Sequence, residues 1–294
     1  MRKRLATLLD SDLAYDYFQN KTVIIASVIL LLIILVSIFA PFIAPHNPYD
    51  LSSLSLMDSL RPPAWMEGGV AKFPLGSDLQ GRGVLSTILY GTRISLVIGF
   101  AAMILGGVIG IILGLISGYF GGRLDSFIMR VADIQLSIPT TLIAITVMAF
   151  WGRGVLKLII VIGLAGWVTY ARTVRGAVLT IKGSEFIEAA KIIGVSKYKI
   201  MLRHLLPNIM TPVIVIATVQ VAQVIMLEAT LSFLGLGVPL TKPSLGLMIA
   251  EGYKMLFSGY WWLVVFPGTM LLMIVLSINI LGDWLRDTLN PKLK

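Results

Sequence analysis

Six apolar stretches that are almost free of charged residues constrain this chain more than any other feature of its sequence. About 20 such residues in a helix cross the roughly 30 Å hydrocarbon core of a bilayer. Only 13% of the 294 residues are charged and 57% are apolar, whereas about a quarter are charged in a soluble domain. We therefore expect an all-α polytopic membrane protein and not a soluble enzyme. The predicted membrane segments are 23–44, 94–120, 134–152, 158–171, 207–227 and 255–282.

The distribution of Lys and Arg predicts the orientation of these segments. With both termini inside, 16 of the 24 basic residues lie on the cytoplasmic side and 8 on the outer side. Lys and Arg are retained in the cytoplasm during insertion, so the N-in/C-in arrangement is favoured. The predicted regions are a cytoplasmic tail (1–21), a first helix (22–44), an outer loop (45–93), a five-helix core (94–282) and a C-terminal tail (283–294).

Several kinds of chemistry are excluded by the residues that the chain lacks. It has no Cys and only two His, which argues against disulfides and against thiolate or imidazole metal sites. No Gly-x-x-x-x-Gly-Lys-Ser/Thr run occurs, so any ATP chemistry must belong to another polypeptide. The net charge of +9 follows from the topology and does not indicate nucleic-acid binding. We expect no metal and no cofactor on this chain.

Two patterns predict contacts within the bundle. Glycines repeat every four residues along the second segment, which removes side chains from one helix face and allows a neighbouring helix to approach closely. Near the third segment, Arg130 and Asp133 stand one turn apart, a spacing that favours an ion pair within the helix. Pro139 is expected to kink the third segment. The glycines are Gly106, Gly110, Gly114 and Gly118.

The connection 173–206 predicts two short amphipathic helices on the cytoplasmic face. Ser184 can cap the first, Glu185 suits the positive end of its dipole, and Gly194 can end it. The helices could lie in lipid headgroups, but small residues at 189 and 190 also suit the groove of a partner protein. The predicted apolar stripes are Phe186, Ala189, Ala190 and Ile193 in the first helix, and Tyr198, Met201, Leu202 and Leu205 in the second.

The same connection carries a recognisable motif. Glu188-Ala189-Ala190, then Gly194, then Leu206-Pro207 resembles the EAA loop of the membrane subunits of binding-protein-dependent ABC importers. Further segments resemble the C-type permease of the dipeptide, oligopeptide and nickel group, although Gly83 and Thr87 stand where an acid and a base are usual. These segments are Leu75–Asp78, Gly81-Arg82, Tyr90–Arg93, Glu228-Ala229, Leu231–Gly237 and Gly282–Asp287.

The resemblance implies a type I ABC importer permease in the bacterial inner membrane. It implies a second, B-type permease, two ATPase subunits that bind ATP and Mg, and an extracytoplasmic substrate-binding protein as partners. The substrate would be a di- or oligopeptide or a related small peptide; nickel or another small solute is the alternative within the group. A secondary transporter or a membrane scaffold is the alternative outside it, although we find no persuasive internal repeat.

The resemblance also implies roles for individual residues. The coupling helix would contact the ATPase through Glu185, Glu188, Ala189, Ala190 and Gly194, with Leu206 and Pro207 closing the loop. Asp78 and Arg82 would lie near the binding protein, with exposed solvated charges as the alternative. Gln220, Gln223 and Glu228 are candidates for the pathway or a gate, since a carboxylate at membrane depth usually faces a cavity or a partner. For Glu228 the alternative is an interfacial carboxylate satisfied by local backbone or a base.

Overall fold

The computed structural model describes residues 12–50 and 54–289, and all regular elements in these residues are helical. The predicted all-α class is confirmed. The tails at 1–11 and 290–294, with several of the basic residues used for the orientation, lie outside the described residues. The principal helices are α1 (Asp12–Gln19), α2 (Lys21–Ile38), α3 (Ala40–Ile43), α4 (Val84–Phe120), α5 (Gly122–Leu136), α6 (Thr140–Trp151), α7 (Val155–Ile181), α8 (Glu185–Ile192), α9 (Lys197–Lys199), α10 (Leu206–Asn208), α11 (Met210–Phe233), α12 (Leu245–Met255) and α13 (Trp262–Thr288).

Five of the described helices are long and apolar enough to cross a membrane, namely α2, α4, α7, α11 and α13. A sixth span is formed if α5 and α6 count as one, although their axes differ by 81°. The bend lies at Ser137–Pro139, where Pro139 has no backbone N–H to continue the helical ladder. The predicted kink is therefore present, and it is sharp enough to break the helix.

The chain divides into two compact units. The first comprises Met1–Val97, Arg153–Val155 and Glu228–Lys294, and the second comprises Ile98–Gly152 and Leu156–Leu227. In the first unit α13 packs against α2 and α12. Two of these helices begin at side-chain caps: Asn20 accepts a hydrogen bond from the Val23 N–H, and Ser244 accepts one from the Leu247 N–H.

In the second unit, the glycine stripe of α4 packs against α7. A Cβ built on Gly106 would lie 2.7 Å from the Gly163 carbonyl oxygen, and one on Gly114 would lie 2.6 Å from that of Ala171. Gly110 and Gly118 meet the same helix at Trp167–Tyr170 and at Val178. The absence of side chains along this face lets the two backbones approach closely, so the packing interpretation of the stripe is confirmed.

The helix boundaries differ from the charge-free stretches because a charged residue does not end a helix. The second predicted segment began at Ile94, but α4 begins at Val84 and includes Arg93, so the last part of the predicted outer loop is helical. The fourth segment was predicted to end at Ala171, but α7 continues to Ile181. The sixth began at Met255, but the chain turns at Gly259, whose φ is 95°, and α13 begins at Trp262.

Two arginines in the second half of α7 each have a carboxylate partner. Arg175 donates from Nε and Nη2 to the two oxygens of Asp125, at 2.6 and 2.7 Å. Arg172 pairs with Asp133. The predicted ion pair between Arg130 and Asp133 is therefore wrong: Asp133 binds the arginine of a neighbouring helix, which sequence spacing along one helix cannot reveal.

Candidate functional site

The connection between α7 and α11 carries an exposed apolar surface. We call it the helix-pair surface and define it as Phe186, Ile192, Ile193, Tyr198 and Leu202. Ile192 and Ile193 are 84% and 80% exposed, and the other three side chains are also exposed. Exposed apolar patches mark interaction sites with proteins or membranes. The helix-pair surface is therefore a candidate contact surface for a protein or for lipid.

The opposite face of the pair is buried in the second unit. Ile187 is fully buried, Ala190 nearly so, and both belong to a core that includes Val174 and Val178 of α7. The first helix ends as predicted, with Gly194 at a φ of 82°, a conformation that costs glycine little and other residues more. Ser184 stands at the N-cap position, but its hydroxyl makes no cap hydrogen bond. A displacement of α8 would therefore be transmitted to α7 through packed side chains.

The second helix of the pair departs from the predicted α-helical spacing. Residues Ile200–Leu205 form a π-helix in which the Leu206 N–H donates to the Met201 carbonyl. The wider winding turns Ile200 and Met201 inward and leaves Tyr198 and Leu202 exposed. The four residues of the predicted stripe therefore do not share one face: Met201 and Leu205 are buried, whereas Tyr198 and Leu202 are exposed. In the first helix, Phe186 and Ile193 are likewise exposed, and Ile187 takes the buried position.

Most of the residues predicted for coupling lie on the exposed side, but Ala190, also predicted to contact the ATPase, is buried in the core. Glu185 and Ala189 are exposed, and Glu188 pairs with Lys191 one turn later, at 2.7 Å between Oε1 and Nζ. Pro207 is exposed and Leu206 is partly buried. Because surface ion pairs contribute at most about 1 kcal/mol, Glu188 remains available to exchange Lys191 for another donor.

A buried arginine holds the segment between α3 and α4. We call this segment the outer segment, because it belongs to the predicted outer loop. Arg82 is only 1% exposed, and its Nε donates to Oδ2 of Asp78 at 2.6 Å. Its Nη1 donates to the Leu240 carbonyl at 3.2 Å, and its Nη2 lies 3.6 Å from a Glu251 carboxylate oxygen. The alternative of an exposed, solvated charge is therefore wrong for Arg82. Burial raises the pKa of Glu251, while the neighbouring Arg82 acts in the opposite direction.

The His46 side chain links the segment that follows α3 to the start of α4 by hydrogen bonds. Its Nε2 accepts a hydrogen bond from the Gly83 N–H at 3.0 Å, and its Nδ1 lies 3.3 Å from the Ser86 hydroxyl. A Cβ at Gly83 would lie 2.6 Å from the imidazole ring. A side chain at position 83 would therefore displace the imidazole. Burial, followed by the charge of Lys72, lowers the pKa of His46.

Glu228 is fully buried and is surrounded by serine hydroxyls. Ser95 donates to one carboxylate oxygen at 2.9 Å, and Ser232 donates to the other at 2.7 Å. Ser244, the cap of α12, donates to Ser232 at 3.2 Å. The alternative of an interfacial carboxylate satisfied by backbone or a base does not describe this site. The serines tie α11 to α4 and to the first turn of α12.

Gln220 and Gln223 occupy a different place from Glu228. Both glutamines line a cavity of about 240 Å³ in the second unit, and Glu228 is not among the residues that line it. The three pathway candidates therefore do not form one site. The described residues also contain no group of three or more His, Cys, Asp or Glu arranged to hold a metal ion.

Sequence reasoning missed several residues of these sites. Ser232 follows Glu228 by four residues on one helix, so the spacing could have identified it. Ser95, Ser244, Glu251 and His46 reach their partners only through the tertiary fold. Short-range patterns carry no signal for such contacts.

Comparisons with known proteins agree with this architecture. The family model described as "Binding-protein-dependent transport system inner membrane component" matches residues 110–294, and the "N-terminal TM domain of oligopeptide transport permease C" matches residues 12–63. The chain is similar to the dipeptide transport system permease protein of Haemophilus influenzae, with 40% identity over 95% of this chain and 93% of that protein.

One further relative and one solved structure are also similar to this chain. The oligopeptide transport system permease protein of Bacillus subtilis is 36% identical over 100% of this chain and 92% of its own. The inward-facing MetNI methionine ABC transporter has a chain with a TM-score of 0.58 and 21% identity, covering 70% of this chain and 97% of that one. The latter shows the fold alone. On these grounds the chain belongs to the family of inner membrane components of binding-protein-dependent transport systems.

Proposed function

We propose that this chain is one of two permease subunits of an ATP-driven importer for di- or oligopeptides. The relatives named as dipeptide and oligopeptide permeases support the substrate class. The second permease, the two ATPase subunits with their ATP and Mg, and the extracytoplasmic binding protein complete the machine. This chain supplies no ATP chemistry, since its sequence lacks a phosphate-binding loop.

The helix-pair surface is the observation that carries the proposal. Five apolar side chains of the pair are exposed, while Ile187 and Ala190 are packed in the core. A helix that only rests on lipid needs no such rigid attachment to the bundle. Docking of the surface in an ATPase groove, with Glu188 meeting a donor on the ATPase, uses both features.

Movement of α8 as a rigid unit then drives the transport cycle. When ATP closes the ATPase subunits, the docked α8 moves with them and shifts the bundle from an inward-facing to an outward-facing state. The change is a two-state population shift that requires the ATPase to bind one state more tightly than the other. Hydrolysis reverses the shift and releases the solute inside.

On the outer side, Arg82 and Asp78 serve the binding protein indirectly. We infer that the buried pair fixes the shape of the outer segment, and that exposed residues of the same segment make the contact. Leu56, Met57 and Trp65 are among the large exposed apolar residues there. Glu228, through its serine contacts, is in turn proposed as a gate residue that links α11 to α12. Gln220 and Gln223 are proposed to belong to the pathway.

A matched pair of variants tests the coupling proposal. In cells that express the complete transporter, Ile192→Asp places a charge in the docking surface, and Phe150→Asp places one on an exposed position of α6. We expect Ile192→Asp to lower copurification of the ATPase, and peptide uptake, at least tenfold, since hot-spot truncations exceed about 2 kcal/mol. Normal uptake and normal copurification in Ile192→Asp would contradict the proposal. The amount of each variant in the membrane controls for insertion.

A further inference from the structure

A cavity opens at the break between α5 and α6. Leu136 and Thr140-Thr141, which flank the break, are among its lining residues. Its volume of about 240 Å³ greatly exceeds the roughly 10–15 Å³ that one water needs. The lining contains no Asp, Glu, Lys, Arg or His. Its polar members are Thr140, Thr141, Thr169, Tyr170, Gln220 and Gln223.

Two of these six side chains, Tyr170 and Gln220, are buried, and the other four are exposed. Within the described part of the chain, none of the six donates or accepts a side-chain hydrogen bond, although all line one cavity. Tyr170 is the extreme case, since it is only 2% exposed and its hydroxyl is buried without a partner. A buried phenol normally has a hydrogen-bond partner. A molecule in the adjoining cavity would supply one.

The broken span adds backbone donors to this set. The first N–H groups of a helix have no acceptor within the helix, and Thr140 and Thr141 are the first two residues of α6. Irregular backbone at membrane depth is tolerated where it lines a cavity, and the N-termini of broken helices in transporters bind solute groups that carry negative charge. The cavity therefore combines backbone N–H, amide and hydroxyl donors without any cationic side chain.

Hydrogen bonds hold the wall next to Tyr170. Gln135 donates to the Ala165 carbonyl at 2.7 Å and accepts from Trp167 Nε1 at 2.8 Å, which joins the end of α5 to α7. Ala165 and Gly166 themselves line the cavity. Small residues on this side leave space, and the Gln135 contacts tie the helix that precedes the break to the helix that carries Tyr170.

We propose that this cavity binds the main-chain oxygen acceptors of the transported peptide, with Tyr170, Gln220 and the first turn of α6 as hydrogen-bond donors. The inference rests on the proposed function and extends it to a defined site within the membrane. Donors without a fixed charge recognise the part common to all peptides and hold it weakly enough to release it. Because the lining is uncharged, it offers no ion-pair partner to a charged side chain of the peptide. The identity of the peptide's side chains would therefore be recognised elsewhere.

Protection of introduced cysteines tests binding directly, because this chain has no Cys of its own. In the purified complete transporter, Thr141→Cys and Gln223→Cys are treated with a small maleimide, and Met57→Cys in the outer segment serves as the control. We expect 10 mM Ala-Ala to slow labelling at least threefold at both cavity positions and to leave Met57→Cys unchanged. Equal rates with and without Ala-Ala, or the same slowing by sorbitol, would overturn the proposal. Absence of labelling without peptide would also overturn it.

A comparison of Ala-Ala with its C-terminal amide identifies which oxygen of the peptide is bound. Protection by both Ala-Ala and its amide assigns the carbonyl, whereas protection by Ala-Ala alone assigns the terminal carboxylate; either supports a main-chain acceptor site. Protection by neither contradicts it.

Uptake by conservative variants separates this inference from the proposed function. Tyr170→Phe removes one hydroxyl and Gln220→Leu removes one amide, while Tyr119→Phe is the matched control outside the cavity. Loss of one hydrogen bond predicts about three- to tenfold slower peptide uptake for the cavity variants, with ATPase copurification unchanged. If wild type takes up no peptide, the proposed function fails. If wild type takes up peptide and the cavity variants match it, only the present inference fails.

Discussion

At the scale of single residues, Arg82 joins three separate stretches of the first unit. Its partners are Asp78, the Leu240 carbonyl and Glu251. Removal of one partner from a buried pair leaves an uncompensated charge, which costs about 3–5 kcal/mol. We expect Arg82→Met to lower the free energy of unfolding by about 3 kcal/mol. Thermal unfolding of the purified transporter in detergent measures the change.

The exposed Arg61 provides the control for that measurement. Its guanidinium makes only a long contact with the Met57 carbonyl, at 3.4 Å, so Arg61→Met should change stability by less than about 0.5 kcal/mol. Equal melting temperatures for wild type and Arg82→Met would show that Arg82 does not hold the outer segment.

The stability of the contacts around His46 should depend on pH. Its pKa in the folded chain lies below the ordinary value of 6.5, so the unfolded chain binds a proton first as the pH falls. The contribution of His46 to the free energy of unfolding is therefore complete above about pH 6.5 and is lost progressively below it. Hydrogen exchange of residues 83–86 should accelerate from pH 7.5 to pH 5.5 in wild type, after correction for the intrinsic rate. In His46→Gln this extra acceleration should be absent; if both respond alike, His46 is not the cause.

Contacts of this kind are where sequence reasoning reaches its limit. The sequence marks Asp78 and Arg82 through their motif, but burial and the third partner Glu251 depend on how distant segments meet. In the same way, local spacing suggested Arg130 for Asp133, whereas the fold supplies Arg172. Side chains separated by more than one helical turn carry no periodic signal of their pairing.

At the scale of helices, the contact of α4 with α7 depends on the absence of side chains at the glycine stripe. A Cβ at Gly110 would lie 2.5 Å from the Trp167 carbonyl oxygen, so Gly110→Val must push the helices apart. Overpacking of this kind costs about 1–3 kcal/mol. Gly176→Ala in α7 is the control, because nothing lies within 4 Å of its Cβ position and Ala favours the helix by about 1 kcal/mol. The melting temperatures of the two variants should shift in opposite directions. A Gly110→Val variant as stable as wild type would contradict the packing of α4 against α7.

Helices were the most predictable level of this structure. The apolar runs fall on the five helices that are long and apolar enough to cross a membrane and on the bent pair α5 and α6, because lipid imposes the same requirement on every span. Boundaries were less predictable, since Arg93, Arg172 and Arg175 lie inside helices that continue past them. The π-helix at Ile200–Leu205 was missed, because α-helical periodicity assumes 3.6 residues per turn and a π turn is wider.

At the scale of the whole molecule, the chain is one part of a larger machine. The motifs from Glu188 to Pro207 are enough to indicate the family, because both their residue types and their spacing match it. The proposed peptide site could not be predicted in the same way. Tyr170 has no motif, and its significance appears only when the cavity and its unpartnered hydroxyl are seen together.

Photo-crosslinking from the helix-pair surface tests the central claim most directly. A benzophenone amino acid at Ile192 should form an adduct with the ATPase subunit in membranes that contain the complete transporter. The same group at Phe150, which is equally exposed but lies on α6, should form no ATPase adduct. Adducts of Ile192 with lipid alone, in a transporter that still takes up peptide, would show that α8 rests on the membrane and does not couple ATP hydrolysis to transport.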